Sequence, residues 1–466
     1  MADVIVVGGA VGGLATAMML ARDGHDVTVL ERDPHEVRSP DEAWESWERK
    51  GVAQFRLAHY LHPRFRIVMQ DELPEVGEAM EKAGAFRFDL VATMPSSITD
   101  RTPRDGDDRL WTLTGRRAII EYAFASVATS EPRVTVERGV HVTGLVTNGS
   151  VTDGVPHVVG VQTEDGERRA DLVVDAMGRR SFVGDWIEAA GGRRPPEESA
   201  ECGFTYYGRH YVHDTMPEVL APLLVPYGSI SILTLPCDNG IVAVAVYAAS
   251  GDRPLRMLRH PDRYERVVRS CTPQAHWIDG VPVGDMMALS GVTDRIRSFV
   301  VDGEPVVTGL LPVADAWACT NPSLGRGLSL GIWHAQRLRD VVRDHLDDYA
   351  ELADTWHAVT MAELEPYYRM QVDMDRSRHA EIDAIREGRE PPPDPSADIQ
   401  RALGIATQRD PDVFRAFSEI GSCLSTPEEV MGRPGLFEKV LAAADGGGSV
   451  EDPPGPTREQ LLEICA

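Results

Sequence analysis

The sequence predicts an α/β protein: a parallel sheet with a small meander, an inserted antiparallel domain and a helical C-terminal region. Three observations carry this. Short apolar runs recur at residues 4–7, 27–30 and 171–175, as in strands buried on both faces. A glycine-rich turn between a strand and a helix follows the first run. Between about 200 and 300 the pattern changes to longer strands around an Asn239-Gly240 hairpin signal.

In order, residues 4–7 form a buried strand, and 14–23 an Ala- and Met-rich helix ended by Gly24. Residues 27–30 form the next strand, giving a strand–helix–strand start. Residues 33–110 read as irregular loops with helices over 64–70 and 76–82. A helix covers 116–128. Residues 134–136, 140–146 and 157–162 alternate in polarity and read as one meander. Residues 171–175 are a buried strand running into Ala176-Met177-Gly178. Residues 229–235 and 241–247 flank the hairpin turn, and 306–309 return to a buried-strand pattern. A helix follows over 328–346, then a long polar helix over 350–386. Residues 390–395 break it, and further helix runs to about 444. Residues 446–456 read as a linker before a short helix at 458–464. The expected parts are 1–200 and 301–345 for the parallel-sheet domain, 201–300 for a substrate domain and 346–466 for the helical region.

Charge excludes some classes. Forty-seven Lys and Arg face 73 Asp and Glu, a net charge of −26, so the basic footprint of a nucleic-acid binder is missing. The same balance disfavours an anionic membrane surface. The six cysteines show no CxxC and no metal-ligand spacing, and read as reduced, buried thiols. No apolar run is long enough to cross a membrane, and the N-terminal apolar stretch lacks a basic leader. A cytoplasmic protein without a metal is expected.

Gly8-Gly9-Ala10-Val11-Gly12-Gly13 fits a GxGxxG-type turn with Ala10 at the middle position. Gly8 permits the tight turn, and a small residue at position 10 admits a pyrophosphate. Gly13 lets helix and strand approach closely. The phosphate would sit at the helix N-terminus, on the amides of Val11, Gly12 and Gly13. Glu31, with Arg32 beside it, ends the next strand, where a carboxylate accepts from ribose hydroxyls. That carboxylate repels a 2′-phosphate, so the bound dinucleotide should not be NADP. This Rossmann-type fingerprint does not separate NAD from FAD.

A second segment does. Asp315 is followed seven residues later by Pro322, then by Gly325, Gly327 and Leu328 opening a helix. Here the chain resembles the FAD-dependent monooxygenases with the para-hydroxybenzoate hydroxylase-like fold. The resemblance implies that Asp315 binds the ribityl chain and that the amides around Gly325–Leu328 face the flavin ring. Read alone, Asp315 also fits a helix N-cap. Arg117, three residues before Ile120 and seven before Phe124, resembles the family's helix whose Arg reaches FAD. Read alone, it also fits a solvated residue on an amphipathic helix. The segment 171–181 resembles the family's central Asp-Gly segment. There are departures. Ala314 replaces a Gly, Ala318 stands where many hydroxylases have His, and Met177 replaces an Asp linked to NAD(P)H handling.

The resemblance implies FAD as cofactor, NADPH or NADH as electron donor (directly or through a flavin reductase), and molecular oxygen as co-substrate. The implied reaction is hydroxylation or epoxidation of a small hydrophobic or aromatic metabolite of secondary metabolism. Met177 leaves open a reductase or dehydrogenase acting on a double bond. A flavin halogenase shares the fold, but Trp44 and Trp47 are wrongly spaced for its motif. Lys50 and Lys82 lie outside any recognisable halogenase context. Catalytic candidates are Arg56 and His59, in a loop that commonly folds over the flavin in this family; His59 titrates near neutral pH when unperturbed. A capped helix end with a surface His fits the same residues. Tyr206, Tyr207, His210 and Tyr247 of the antiparallel domain are candidate substrate contacts, although aromatics on strands usually pack in cores.

Overall fold

Strand β1 (Asp3–Val7) is apolar from Val4 onward because both its faces are covered there. Val4 and Val6 pack under helices, while Ile5 and Val7 pack against a meander. The computed structural model describes residues 1–52, 54–152, 154–390, 397–445 and 454–466. Helix α1 (Val11–Arg22) follows the glycine turn and leads to β2 (Asp26–Glu31), parallel to β1. The loop beyond carries α2 (Pro40–Glu45) and β3 (Ala58–Tyr60). Helices α3 (Pro63–Glu72) and α4 (Pro74–Lys82) each start on a proline, whose fixed φ suits the first helical turn. Strands β4 (Phe86–Asp89) and β5 (Trp111–Arg116) join β3 in a small antiparallel sheet. Helix α5 (Arg117–Ala128) then returns to β6 (Val134–Arg138).

The meander is β7 (Val142–Thr152), β8 (Val155–Thr163) and β9 (Gly166–Arg169). Residues 134–136, expected in it, instead pair with β2 as an edge of the parallel sheet. Alternation alone does not separate an edge strand from a meander strand. Strand β10 (Leu172–Asp175) pairs with β1 and leads to α6 (Val183–Ala189) and β11 (Glu197–Glu201). The five-stranded antiparallel sheet uses β12 (Phe204–Val212), β13 (Leu224–Tyr227), β14 (Ile230–Pro236), β15 (Ile241–Ala249) and β16 (Val281–Leu289). Its order is β13-β14-β15-β12-β16, with α7 (Pro261–Ser270) on its outer face. Asn239 and Gly240 close the β14–β15 hairpin with φ of 54° and 73°, the left-handed pair such a turn requires.

Strand β17 (Thr293–Arg297) and the short pair β18 (Val300–Val301) and β19 (Glu304–Pro305) lead to β20 (Leu310–Pro312). Strand β20 completes the parallel sheet, order β20-β10-β1-β2-β6. It was expected at 306–309. Val306 and Val307 are buried there and Thr308 bridges His157 of β8, but Gly309 takes φ 71°, and pairing with β10 begins only after that turn. After β21 (Ala318–Cys319), helix α8 (Gly327–His345) packs on α1 and α3. The long helix expected over 350–386 is two, α9 (Tyr349–Glu363) and α10 (Glu365–Glu387), because Pro366 starts a new one. Helices α11 (Ala397–Ala406), α12 (Pro411–Gly421), α13 (Pro427–Met431) and α14 (Leu436–Asp445) share their own core. Helix α15 (Arg458–Cys465) buries Leu461 and Cys465 in the outer core of the antiparallel sheet. Most of the expected break at 390–395 and part of the expected linker at 446–456 lie outside the described residues.

Candidate functional site

The glycine turn is built as its chemistry requires. Gly8 takes φ 113°, and a Cβ there would lie 2.5 Å from the Ala176 carbonyl oxygen. A Cβ on Gly13 would lie 1.9 Å from the Gly8 carbonyl oxygen. Gly12 is looser, with 3.2 Å to the Ala314 methyl. Ala10 precedes α1 with an extended backbone and no side-chain cap, so the first-turn amides of Val11, Gly12 and Gly13 stay open to an anion.

Glu31 stands beside this turn, buried. Its Oε2 accepts from Gly9 N at 2.8 Å, and its Oε1 from Asp33 N at 2.8 Å. The Arg49 guanidinium also donates to Glu31. Arg49 further donates to Glu121 (2.7 Å) and to the Gly9 carbonyl (3.1 Å). Burial opposes the Arg49 charge, but Glu121, Glu31 and Asp33 outweigh it and raise its pKa. Arg117 donates to the same Glu121 at 2.6 Å. The cation on Glu31 is therefore Arg49, a residue the sequence reading passed over. The neighbouring Arg32 is exposed and lies near Gly51.

The second segment meets the first across a cavity. Beyond β20 the chain turns at Ala314, which takes φ 54°, and its amide donates to His334 Nδ1 at 3.0 Å. His334 is stacked on Trp356 and buried, and burial holds its pKa down at about 3. Asp315 lines the cavity, and its carboxylate accepts no hydrogen bond from any described residue. Burial raises its pKa, while Arg117, Arg179 and Arg295 pull it back. Gly325 (φ 67°) ends the Pro322 turn, and α8 begins at Gly327 with its N-terminus at the cavity. Asn321 anchors this loop. Its amide donates to Asp294 (2.6 Å), its side-chain NH2 to Asp375 (2.9 Å), and its Oδ1 accepts from Tyr206 (2.5 Å).

The cavity holds about 1550 Å³. It brings together Ala10, Val11, Gly12, Arg117, Asp315, Pro322, Gly325, Gly327, Leu328 and His59. Gly8, Gly13 and Glu31 stand behind its wall as supports. His59 contacts the Leu57 carbonyl at 3.2 Å, and burial with Arg117 nearby pushes its pKa down to about 3. It is a neutral imidazole near pH 7, not the near-neutral titrating group expected. Arg56 does not reach the cavity, because its guanidinium donates to the Trp44 and Trp47 carbonyls.

None of the four substrate candidates lines the cavity. Tyr206, Tyr247 and His210 do share a sheet face with the lining residues Leu233 and Leu235, by register. Other elements cover them: Asn321 meets Tyr206, Trp44 meets His210, and Tyr206 and Tyr247 pack on each other. Tyr207 points into the outer core. The walls come from β4, the stretch before β13, the end of β14, and α12. The alternation Phe86-Arg87-Phe88-Asp89 was the signal for the first of these. Among the described residues no group of His, Cys, Asp or Glu is placed to hold a metal, no disulfide forms, and no helix is long and apolar enough to cross a membrane.

Two helix N-termini and the Asp315 carboxylate, which accepts no hydrogen bond from a described residue, face a single cavity and suit an extended ligand, with phosphates at one end and hydroxyls near Asp315. No family profile matches the chain. It is 24% identical over 407 residues to protein Rv3254 of Mycobacterium tuberculosis, covering 80% of each. Among solved structures it is similar to the Diels-Alderase PyrE3 of pyrroindomycin biosynthesis, at TM-score 0.59 and 19% identity over 91% of this chain and 81% of that one. It is also similar to PqsL, a probable FAD-dependent monooxygenase from Pseudomonas aeruginosa, at TM-score 0.57 and 18% identity over 89% and 99%. With the parallel sheet, the inserted antiparallel sheet and the helical C-terminal region in place, the chain has the para-hydroxybenzoate hydroxylase-like fold of flavin-dependent monooxygenases and their relatives.

Proposed function

We propose that this chain is an FAD-dependent oxidoreductase of the monooxygenase type, adding one oxygen atom from dioxygen to a small hydrophobic or aromatic metabolite. The observation that carries the reading is the Asp315 carboxylate, which accepts no hydrogen bond from a described residue, in a cavity that both helix N-termini face. Val11, Gly12 and Gly13 would hold the pyrophosphate, Asp315 the ribityl chain, and Gly325–Leu328 the ring's polar edge, while Glu31, whose oxygens accept from Gly9, Asp33 and Arg49 behind the cavity wall, would have to exchange a partner to reach the adenosine ribose. Bound FAD would supply the redox chemistry, with NADPH or NADH as its source of electrons, directly or through a reductase. Apolar walls around the ring would keep water out. A halogenase reading gains no support, because none of Lys50, Lys82 and Lys439 lines the cavity. Met177 does line it, where the family has an acidic residue linked to NAD(P)H handling, which supports electron delivery through a separate reductase and keeps a double-bond reductase as the second reading.

The test is the visible spectrum of the purified protein, then anaerobic addition of NADPH or NADH, then oxygen uptake with candidate substrates. Bound or reconstituted flavin with substrate-dependent oxygen uptake is expected. Absence of flavin uptake overturns the cofactor assignment. Substrate turnover without oxygen uptake moves the chain to the reductase reading.

A further inference from the structure

The cavity is larger than the range of about 300–1,000 Å³ usual for a single small-molecule site. If FAD occupies the end bounded by Ala10–Gly12, Asp315 and Pro322–Leu328, the other end is left for substrate. The inference drawn from that second end rests on the cofactor reading above.

Its walls are apolar: Phe88 and Met94 on one side, Leu233 and Leu235 on the sheet, Phe414 and Phe417 on α12. Charge is kept at the rim. Arg87 and Asp89 alternate with the phenylalanines of β4 and are exposed. Arg87 lies over the Trp111 ring, and Arg101 donates to the Met94 and Pro95 carbonyls. Glu218 is exposed too. An anion in this half would therefore lose its water without gaining a buried cation. Strand β3 brings His59 and Tyr60 to the cavity, His59 with a ring nitrogen at the Leu57 carbonyl. The Tyr60 hydroxyl makes no hydrogen bond to a described residue, while its ring packs edge-on to Phe88 and His62. Two large apolar side chains lining the cavity are only half covered, Phe417 at 49% and Leu220 at 59% exposure.

We propose that this half binds an uncharged, mostly apolar molecule of about three fused rings, covered by Phe417 and Leu220 and anchored through one oxygen to the Tyr60 hydroxyl. A small aromatic acid is the substrate class these walls reject.

The test uses the full chain and Nile red, an uncharged fused-ring dye whose emission rises in apolar sites. Flavin content is measured separately by absorbance, so loss of the cofactor reading is seen independently of the dye. Saturable one-to-one binding is expected, with displacement by anthrone, an uncharged tricyclic ketone. Displacement by 4-hydroxybenzoate should require at least about 100-fold more competitor. Phe417→Arg and Leu233→Trp should each weaken dye binding by about 10-fold or more, the first by placing a charge at the mouth and the second by filling the wall. Tyr60→Phe should weaken anthrone more than it weakens anthracene, which has no oxygen to anchor. Equal displacement by 4-hydroxybenzoate and anthrone overturns the proposal on wild-type protein alone. So does unchanged dye binding in both folded wall variants.

Discussion

Asp375 is a buried carboxyl and Asp315 a half-buried one on the cavity wall, and their roles differ. Burial raises the pKa of Asp315 against the pull of Arg117, Arg179 and Arg295, and among the described residues none donates a hydrogen bond to its carboxylate. Asp315→Asn should therefore leave the melting temperature unchanged or raise it, while flavin affinity falls about 10-fold. Flavin titration and a thermal melt check both halves. A melt that falls with flavin binding intact would make Asp315 a structural residue. Asp375 instead accepts from Asn321 and Gln371, and burial lifts its pKa to about 6. The folded chain then holds this proton more tightly than the unfolded one. That stabilisation is full below the ordinary Asp value and is lost as pH rises through about 6. Asp375→Asn keeps one acceptor and removes the titration. Its melting temperature relative to wild type should become more positive between about pH 4 and pH 7. A difference flat with pH would mean that Asp375 is charged throughout.

At the scale of elements, the β1–α1 turn makes the sharpest prediction. Gly13→Ala drives a methyl into the Gly8 carbonyl, whereas Gly12→Ala only brushes the Ala314 methyl. Gly13→Ala should cost roughly 2–4 kcal/mol and lose flavin, while Gly12→Ala should cost under about 1 kcal/mol. Urea melts and flavin content separate the two. Elements with a strong local signal were legible in the sequence: the glycine turn, β2, β10, the hairpin and α8. Strand β6 was seen as a strand but assigned to the wrong sheet, since its partner is decided by where the chain returns after α5. Strand β20 was displaced by a few residues, because Val306 and Val307 are buried without pairing to the parallel sheet; the Val306 amide donates to Phe299 instead. At the site, residues tied to backbone geometry were readable. Those set by long-range contact were not. Arg49 meets Glu31 across 18 residues. Tyr206 lies on a readable sheet face, but the cover that removes it from the cavity arrives at Asn321, 115 residues later.

At the scale of the whole molecule, a buried ion pair helps join the antiparallel sheet to the parallel-sheet domain, beside the hydrogen bonds of Tyr206 to Asn321 and of Asn239 to Gly84. Asp238, in the hairpin turn, takes Arg116 Nη2 at 2.6 Å and the Arg116 amide at 2.7 Å, and both side chains are buried. Asp238→Ala would leave a buried guanidinium unpaired, at about 3–5 kcal/mol. Replacing both, as Arg116→Met with Asp238→Leu, should cost less than the single change. Chemical denaturation of the two variants and wild type tests this. Equal costs would mean the pair carries no coupling. The same insertion sets a clock on synthesis. Strand β10 ends at Asp175, but its neighbour β20 begins only at Leu310. At about 5–20 residues per second, a ribosome needs of order ten seconds to make what lies between. For that interval the nascent sheet presents the open edge of Val173 and Val174, so the newborn chain's need for chaperones should be greatest before its own last parallel strand emerges.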